Sequence, residues 1–179
     1  MIYLFLAPGF EEIEALTPVD VLRRAGLDVR TVAVSDNRTV PGSHNIPVTA
    51  DLLFADADFS DATMLILPGG MPGAKNLRAC DPLCRLLTDA AGAHLPIAAI
   101  CAAPFILGEL GILQGKSAIC YPGFEDRLIG AAISDQKVVR DGNILTAAGM
   151  GVALEFALSA VEMLLDKATA DRIAASVMW

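Results

Sequence analysis

The 179-residue chain is expected to fold as one α/β domain, with a mostly parallel sheet covered by helices on both faces. Two observations carry this expectation. Strand-like and helical stretches alternate along the chain, and the strand-like runs are continuously apolar, as strands buried on both faces are. The length suffices for a single domain with its own core.

In chain order, IYLFLA at 2–7 begins the sheet. It has no basic leader and runs straight into EEIE, so it reads as a core strand, not as a signal peptide or membrane span. The stretch 11–25 has helical spacing, and LDVRTVAV at 27–34 is the second strand. VPGSHNIPV at 40–48 is turn-rich and fits a small hairpin. TMLILPGG at 63–70 is a buried strand ending in glycines, followed by a helical region to about residue 92. LPIAAI at 95–100 is another buried strand. AAPFILGEL at 102–110 then switches to helical spacing, with Pro104 in the first turn, where helices tolerate it. SAICY at 117–121 comes next. In VVRDGNILTA at 138–147, Asp-Gly between apolar runs signals a second hairpin. Helices over about 150–165 and 168–177 close the chain. No repeat or linker interrupts this order, so residues 1–179 are read as one domain.

Hydrophobic residues make up 54% of the chain and the formal net charge is −8. An acidic balance without a Lys/Arg cluster argues against nucleic acid and anionic membrane surfaces as partners. Cys80, Cys84, Cys101 and Cys120 follow neither a disulfide framework nor a zinc pattern, which points to a reducing cytosol. Cys80 and Cys84 suit one face of a helix, but no His/Cys pair completes a metal site, and neither metal nor cofactor is expected.

Cys101 lies where the 95–100 strand turns into a helix, flanked by Ile100 and by alanines. Free cysteine often simply fills a core. A strand-to-helix elbow at the open edge of a parallel sheet is also where α/β enzymes place nucleophiles, and a helix N-terminus favours a thiolate. Position alone leaves both readings open.

A helical wheel over 11–25 puts Ala15, Pro18, Val19, Val21, Leu22 and Ala25 on the apolar face, with Glu12, Asp20, Arg23 and Arg24 away from it. Glu14 falls between Val21 and Ala25, so a carboxyl points towards the core, which is rare for an unpaired acid. Glu11 and Glu12 suit first-turn partners of the helix dipole. Ile13 lands on the polar side, the pattern of a subunit contact. The glycine loop LPGGMPGAKNL at 67–77 has neither dinucleotide nor P-loop spacing. It suits an oxyanion hole instead, one N–H from this loop converging with one from the elbow helix. Of the two histidines, His94 precedes the strand that ends at Cys101 and belongs at the opposite sheet edge. His44 sits in the 40–48 hairpin with nothing aiming it at the thiol.

Together, GFEEIEALTPVDVLRRAG (9–26), LPGGMPGAKNL (67–77), AAICAAP (98–104) and GNILTAAG (142–149) resemble the ThiJ/PfpI superfamily, on the branch of the parkinsonism-associated protein deglycase. The resemblance runs essentially end to end. It implies a flavodoxin-like three-layer sandwich, a homodimer, a reactive Cys101, a partner carboxyl at Glu14 and main-chain donors at Gly70 and Ala102. Gly69, Asn76 and Tyr121 are auxiliary candidates. Many members carry a histidine where CYPGF places Tyr121, and some place an arginine near the dimer interface where this chain has His44.

The activity implied is cofactor-independent conversion of small reactive aldehydes or dicarbonyls, or of their early adducts, with Cys101 as nucleophile and Glu14 as proton shuttle. The alternatives are a redox sensor through oxidation of Cys101 and, further off, a thiol peptidase. The pair carries one more expectation: burial beside a thiolate raises the Glu14 pKa, while the helix end and the donated bond hold Cys101 well below ~8.5.

Overall fold

The computed structural model describes residues 1–179. In chain order it contains β1 (Ile2–Leu6), α1 (Glu12–Arg24), β2 (Val29–Ala33), β3 (Thr39–Pro41), β4 (Pro47–Thr49), β5 (Leu52–Leu53), β6 (Met64–Leu67), α2 (Gly73–Arg78) and α3 (Asp81–Gly92). There follow β7 (Ile97–Ile100), α4 (Pro104–Glu109), β8 (Ser117–Ala118), β9 (Ala132–Ile133), β10 (Val138–Asp141), β11 (Ile144–Ala147), α5 (Ala153–Leu164) and α6 (Lys167–Ser176).

The main sheet has the order β10-β11-β7-β6-β1-β2-β5, and every neighbouring pair is parallel except the β10–β11 hairpin. Strand residues alternate between the faces, which sorts the core into two layers. Ile2, Leu4 and Leu6 pack with Leu22, Phe156 and Val161 under α1, α5 and α6. Tyr3 and Phe5 pack with Leu77, Leu87 and Phe105 under α2, α3 and α4. This is the three-layer α/β sandwich that the continuous apolar strands imply, and both helical layers cover a parallel sheet that has no wet face. No helix of the chain is long and apolar enough to cross a membrane.

Several elements differ from the sequence expectation. The 63–70 strand ends at Leu67, leaving Pro68, Gly69 and Gly70 as a loop at the carboxyl edge of the sheet. The helical region to about residue 92 is two helices, and the second begins afresh at Asp81 with proline in its first turn. The apolar pair β5 extends the sheet edge beyond β2. SAICY forms only a two-residue strand, paired with β9 outside the main sheet. Beyond Ala118 its main chain bonds elsewhere: Ile119 N–H donates to the Thr146 hydroxyl at 3.0 Å and Tyr121 N–H donates to Cys101 O at 2.7 Å. This segment braces the elbow.

Both hairpins form where expected, β3–β4 around 40–48 and β10–β11 with Gly142 at a positive φ of 61° in its two-residue turn. The first folds back over the start of α1, where Ser43 N–H donates to Phe10 O at 2.8 Å. That contact decides the fate of two acidic side chains below.

Thr146 is buried at 1% exposure, and its hydroxyl accepts the Ile119 N–H. Thr146→Val keeps the shape and removes the acceptor, leaving the part-buried Ile119 N–H unpaired. The expected loss is about 1–3 kcal/mol of unfolding free energy, measured by urea denaturation; an unchanged midpoint contradicts this account of the brace.

Candidate active site

The site forms where the loop after β6, the first turn of α1 and the turn between β7 and α4 meet at the carboxyl edge of the sheet, the usual place for ligands in such folds. Cys101 directly follows β7 and carries φ of +63°, a left-handed conformation that costs a non-glycine residue on the order of 1–3 kcal/mol. Hydrogen bonds on both sides hold it there. Its N–H donates to Ala147 O at 2.9 Å, and its carbonyl accepts from Tyr121 N–H at 2.7 Å. The strain turns the side chain out of the strand, as in a nucleophile elbow. The thiol is partly accessible.

Glu14 is fully buried on the inner side of α1, where the wheel places it. Its Oε2 accepts from Gly69 N–H at 2.9 Å, while Oε1 is buried with no well-formed hydrogen bond. Gly69 makes the approach possible. A Cβ there would lie 2.7 Å from both Cys101 Cβ and Glu14 Oε2, closer than side chains pack. Gly70 has φ of +86°, and a Cβ there would run into Glu11 N. Two glycines in succession therefore let the loop close over the cysteine and the carboxyl together.

Neither Gly70 N–H nor Ala102 N–H donates to another backbone group, and both act to lower the Cys101 thiol. The two N–H groups expected as donors lie near the thiol. Asn76 is not brought in: its amide donates to Pro8 O at 2.8 Å and ties α2 to the loop after β1. Tyr121 contributes its backbone to the elbow and leaves its side chain half exposed. A Cβ on Gly149 would lie 3.3 Å from Tyr121 Cδ2 and 4.0 Å from Cys101 Sγ, so Gly149 separates the ring from the thiol. Gly149 lies beside the thiol and Met150 N–H is near enough to lower the Glu14 carboxyl; periodicity singled out neither. The only signal for Gly149 was its place at the end of GNILTAAG.

Burial raises the Glu14 carboxyl from its ordinary 4.5 to about 7, against hydrogen bonds from Cys101 and Gly69 that lower it. The direction matches the expectation. The Cys101 thiol does not: burial first, then the Glu14 charge and hydrogen bond, push it up to about 12, and the Gly70 and Ala102 N–H groups only partly offset them. The six-residue α4 is a short dipole, and a carboxylate beside a buried thiol outweighs it. The carboxyl therefore ionises before the thiol, and removing the thiol proton then places two negative charges side by side.

The wheel's placement of Glu12 on the solvated side is corrected. Glu12 is buried because the β3–β4 hairpin closes over it. His44 N–H donates to its Oε1 at 2.8 Å, and Ser43 Oγ and His44 Nδ1 reach Oε2 at 3.2 and 3.0 Å. Burial alone would raise this carboxyl, but the His44 side chain and three backbone N–H groups hold it at about 2. Glu11, Glu12 and His44 bring potential metal-ligand atoms within 4.8 Å of one another, a cluster that spacing did not reveal, and these groups are already joined by hydrogen bonds. His44 is thus engaged with α1 and not with Cys101. His94 is exposed just before β7, at the opposite edge from Cys101.

A strained cysteine at a strand-to-helix elbow, facing a buried carboxyl and two main-chain donors on a three-layer sandwich, defines a cysteine–carboxyl site of the nucleophile-elbow class. The DJ-1/PfpI family profile matches residues 1–163. The chain is 38% identical over 170 residues to Protein DJ-1 homolog B of Arabidopsis thaliana, an alignment covering 94% of this chain and 39% of that protein. The chain therefore spans about two fifths of the length of this plant relative. It is 33% identical over 143 residues to a protein of Pyrococcus horikoshii named as a deglycase, covering 78% of this chain and 85% of that one. Toxoplasma gondii DJ-1, solved in an oxidized form, superposes with a TM-score of 0.96 at 36% identity, covering 99% of this chain and 97% of that one. The chain belongs to the DJ-1/PfpI family.

The Glu14 pKa has a consequence for stability. Between about pH 4.5 and 7 the unfolded carboxyl ionises while the native one keeps its proton, so the native state loses stability as pH rises through this window. Glu14→Gln removes the titration. Urea denaturation at pH 5 and pH 8 is expected to show a wild-type decline that is smaller in the variant by roughly 1–3 kcal/mol; parallel declines would mean that Glu14 titrates normally.

Proposed function

We propose that the chain is a cofactor-independent cysteine enzyme acting on reactive dicarbonyls or their early protein adducts. The observation that carries this reading is Glu14: a buried carboxyl with a pKa near 7 and one unpartnered oxygen, placed against Cys101 beside two free main-chain donors. A carboxyl poised near neutrality both donates and accepts a proton at working pH. The relative named as a deglycase adds support.

In this mechanism the sulfur adds to the aldehyde carbon, and the thiol proton passes through the Glu14 carboxylate to the oxygen to give a hemithioacetal. The Gly70 and Ala102 N–H groups hold the transient oxyanion. Glu14 takes the proton from the former aldehyde carbon and returns it to the neighbouring carbon, leaving a thioester of a 2-hydroxy acid. Water then cleaves the thioester and restores the thiol. With methylglyoxal the net change is addition of one water to give lactate.

Purified protein incubated with methylglyoxal is expected to form lactate, with Cys101→Ser inactive and Glu14→Gln reduced by about 100-fold or more, the usual range for a lost acid–base group. Wild-type output no higher than that of Cys101→Ser overturns the reading.

The same pair supports a second reading, redox sensing. A protonated Glu14 Oε1 is placed to donate to an oxidised Cys101, and a structure of Toxoplasma gondii DJ-1 described as oxidized is among the relatives. A peptidase reading gains nothing, because both histidines are placed away from Cys101.

The working unit in this proposal is a homodimer in a reducing cytosol, where the four free thiols fit. Ile13, Leu16 and Ile46 are exposed at 48%, 39% and 55% on the outer side of α1 and the hairpin clamped to it. A second copy would cover them. Ile13→Glu is expected to shift the mass measured by light scattering from about twice to about one chain mass, with retained fold by circular dichroism; a monomeric wild type removes the dimer from the proposal.

A further inference from the structure

Beyond Gly149, on the Tyr121 side of the thiol, lies a cavity of about 410 Å³ lined by Tyr121, Pro122, Lys137 and residues 148–152. Its nearness to the reacting atom is set by Gly149, whose missing Cβ would touch the Tyr121 ring and stand 4.0 Å from Cys101 Sγ. Lys137 is the only charged residue in the lining. Lys137 is exposed. Its ammonium forms no salt bridge, which is also true of Lys75, Lys116 and several arginines, so what sets it apart is its place in this lining. In a chain of net charge −8, an unpaired cation in a largely apolar hollow beside the nucleophile is a local reversal of sign. The lining also runs directly into the first turn of α5, a twelve-residue helix whose N-terminal end carries partial positive charge.

We propose that this cavity is an anion-accepting substrate subsite. In it, Lys137 binds the carboxylate of an aldehyde or dicarbonyl that bears its acid group next to the reacting carbons. The inference rests on the dicarbonyl reading above and narrows it: a neutral dicarbonyl gains nothing from Lys137, whereas an anionic one is drawn into the cavity and oriented with its aldehyde towards Cys101. Tyr121 supplies the opposite wall, and its phenolic hydroxyl is a donor of the type that suits a carboxylate.

The test uses the full chain and does not depend on turnover. Alkylation of Cys101 by iodoacetate and by iodoacetamide forms the same sulfur–carbon bond with loss of iodide, and the two reagents differ in charge. Mass spectrometry of the Cys101 peptide gives the two rates, and their ratio reports anion attraction while cancelling changes in thiol reactivity. The iodoacetate-to-iodoacetamide ratio is expected to fall roughly two- to fivefold in Lys137→Met, as for loss of one exposed charge pair. It is expected to fall further in Lys137→Glu and to recover in Lys137→Arg. A ratio that stays the same in Lys137→Met and Lys137→Glu overturns the subsite. Absence of lactate from methylglyoxal with these ratio changes intact would count against the dicarbonyl reading alone and leave the anion subsite standing.

Discussion

The site depends on one constraint: a carboxyl group without access to water pressed against a cysteine. Glu14 receives a single well-formed hydrogen bond, from Gly69 N–H, and that bond requires a residue without a side chain at position 69. The β6 loop, the first turn of α1 and the β7–α4 elbow have to arrive together for the carboxyl to be buried at all. Burial then gives it a proton to share near neutrality. The pKa of an ordinary glutamate is thus brought near neutrality by exclusion of water and by withholding hydrogen-bond donors.

The elbow shows how a small local cost is sustained by surrounding order. A left-handed Cys101 persists because Ala147 O and Tyr121 N–H fix the peptide groups on its two sides. Tyr121 N–H is in place because the 117–121 segment leaves strand pairing early, its Ile119 N–H being taken by the buried Thr146 hydroxyl. One polar side chain in a core strand thereby reaches the backbone angle of Cys101 through two hydrogen bonds.

Much of this was legible in the sequence, and the reason is periodicity. Apolar runs at β1, β6 and β7 and the off-pattern Glu14 are statements about which face a residue occupies, and a face is set by spacing along one element. Cys101 was legible as a seam between two periods. What spacing does not encode is what a distant segment lays over a surface. Glu12 belongs to the polar side of α1, yet the β3–β4 hairpin buries it. Gly149 and Met150 reach the site only because β11 runs beside β7. The early end of SAICY as a strand depends on a hydroxyl 27 positions further on. The Cys101 pKa went against expectation for the same reason: the elbow was visible, but the depth at which Glu14 and the surrounding chain enclose the sulfur was not.

Glu12 and Glu14 make the physics explicit. They lie two residues apart in one helix turn, both are buried, and their carboxyls stand near pKa 2 and 7. Desolvation acts on both in the same direction. The difference is the donors: the hairpin surrounds Glu12 with the His44 ring, the Ser43 hydroxyl and backbone N–H groups, which stabilise its charge. Glu14 meets one good donor and a thiol that competes for the same proton. Fixing Glu12 as a permanent anion locks the hairpin to α1, and leaving Glu14 underserved keeps its proton mobile. A single turn of helix thus carries one carboxyl held as an anion and one held near neutrality, and the number of donors that the fold brings to each decides which is which.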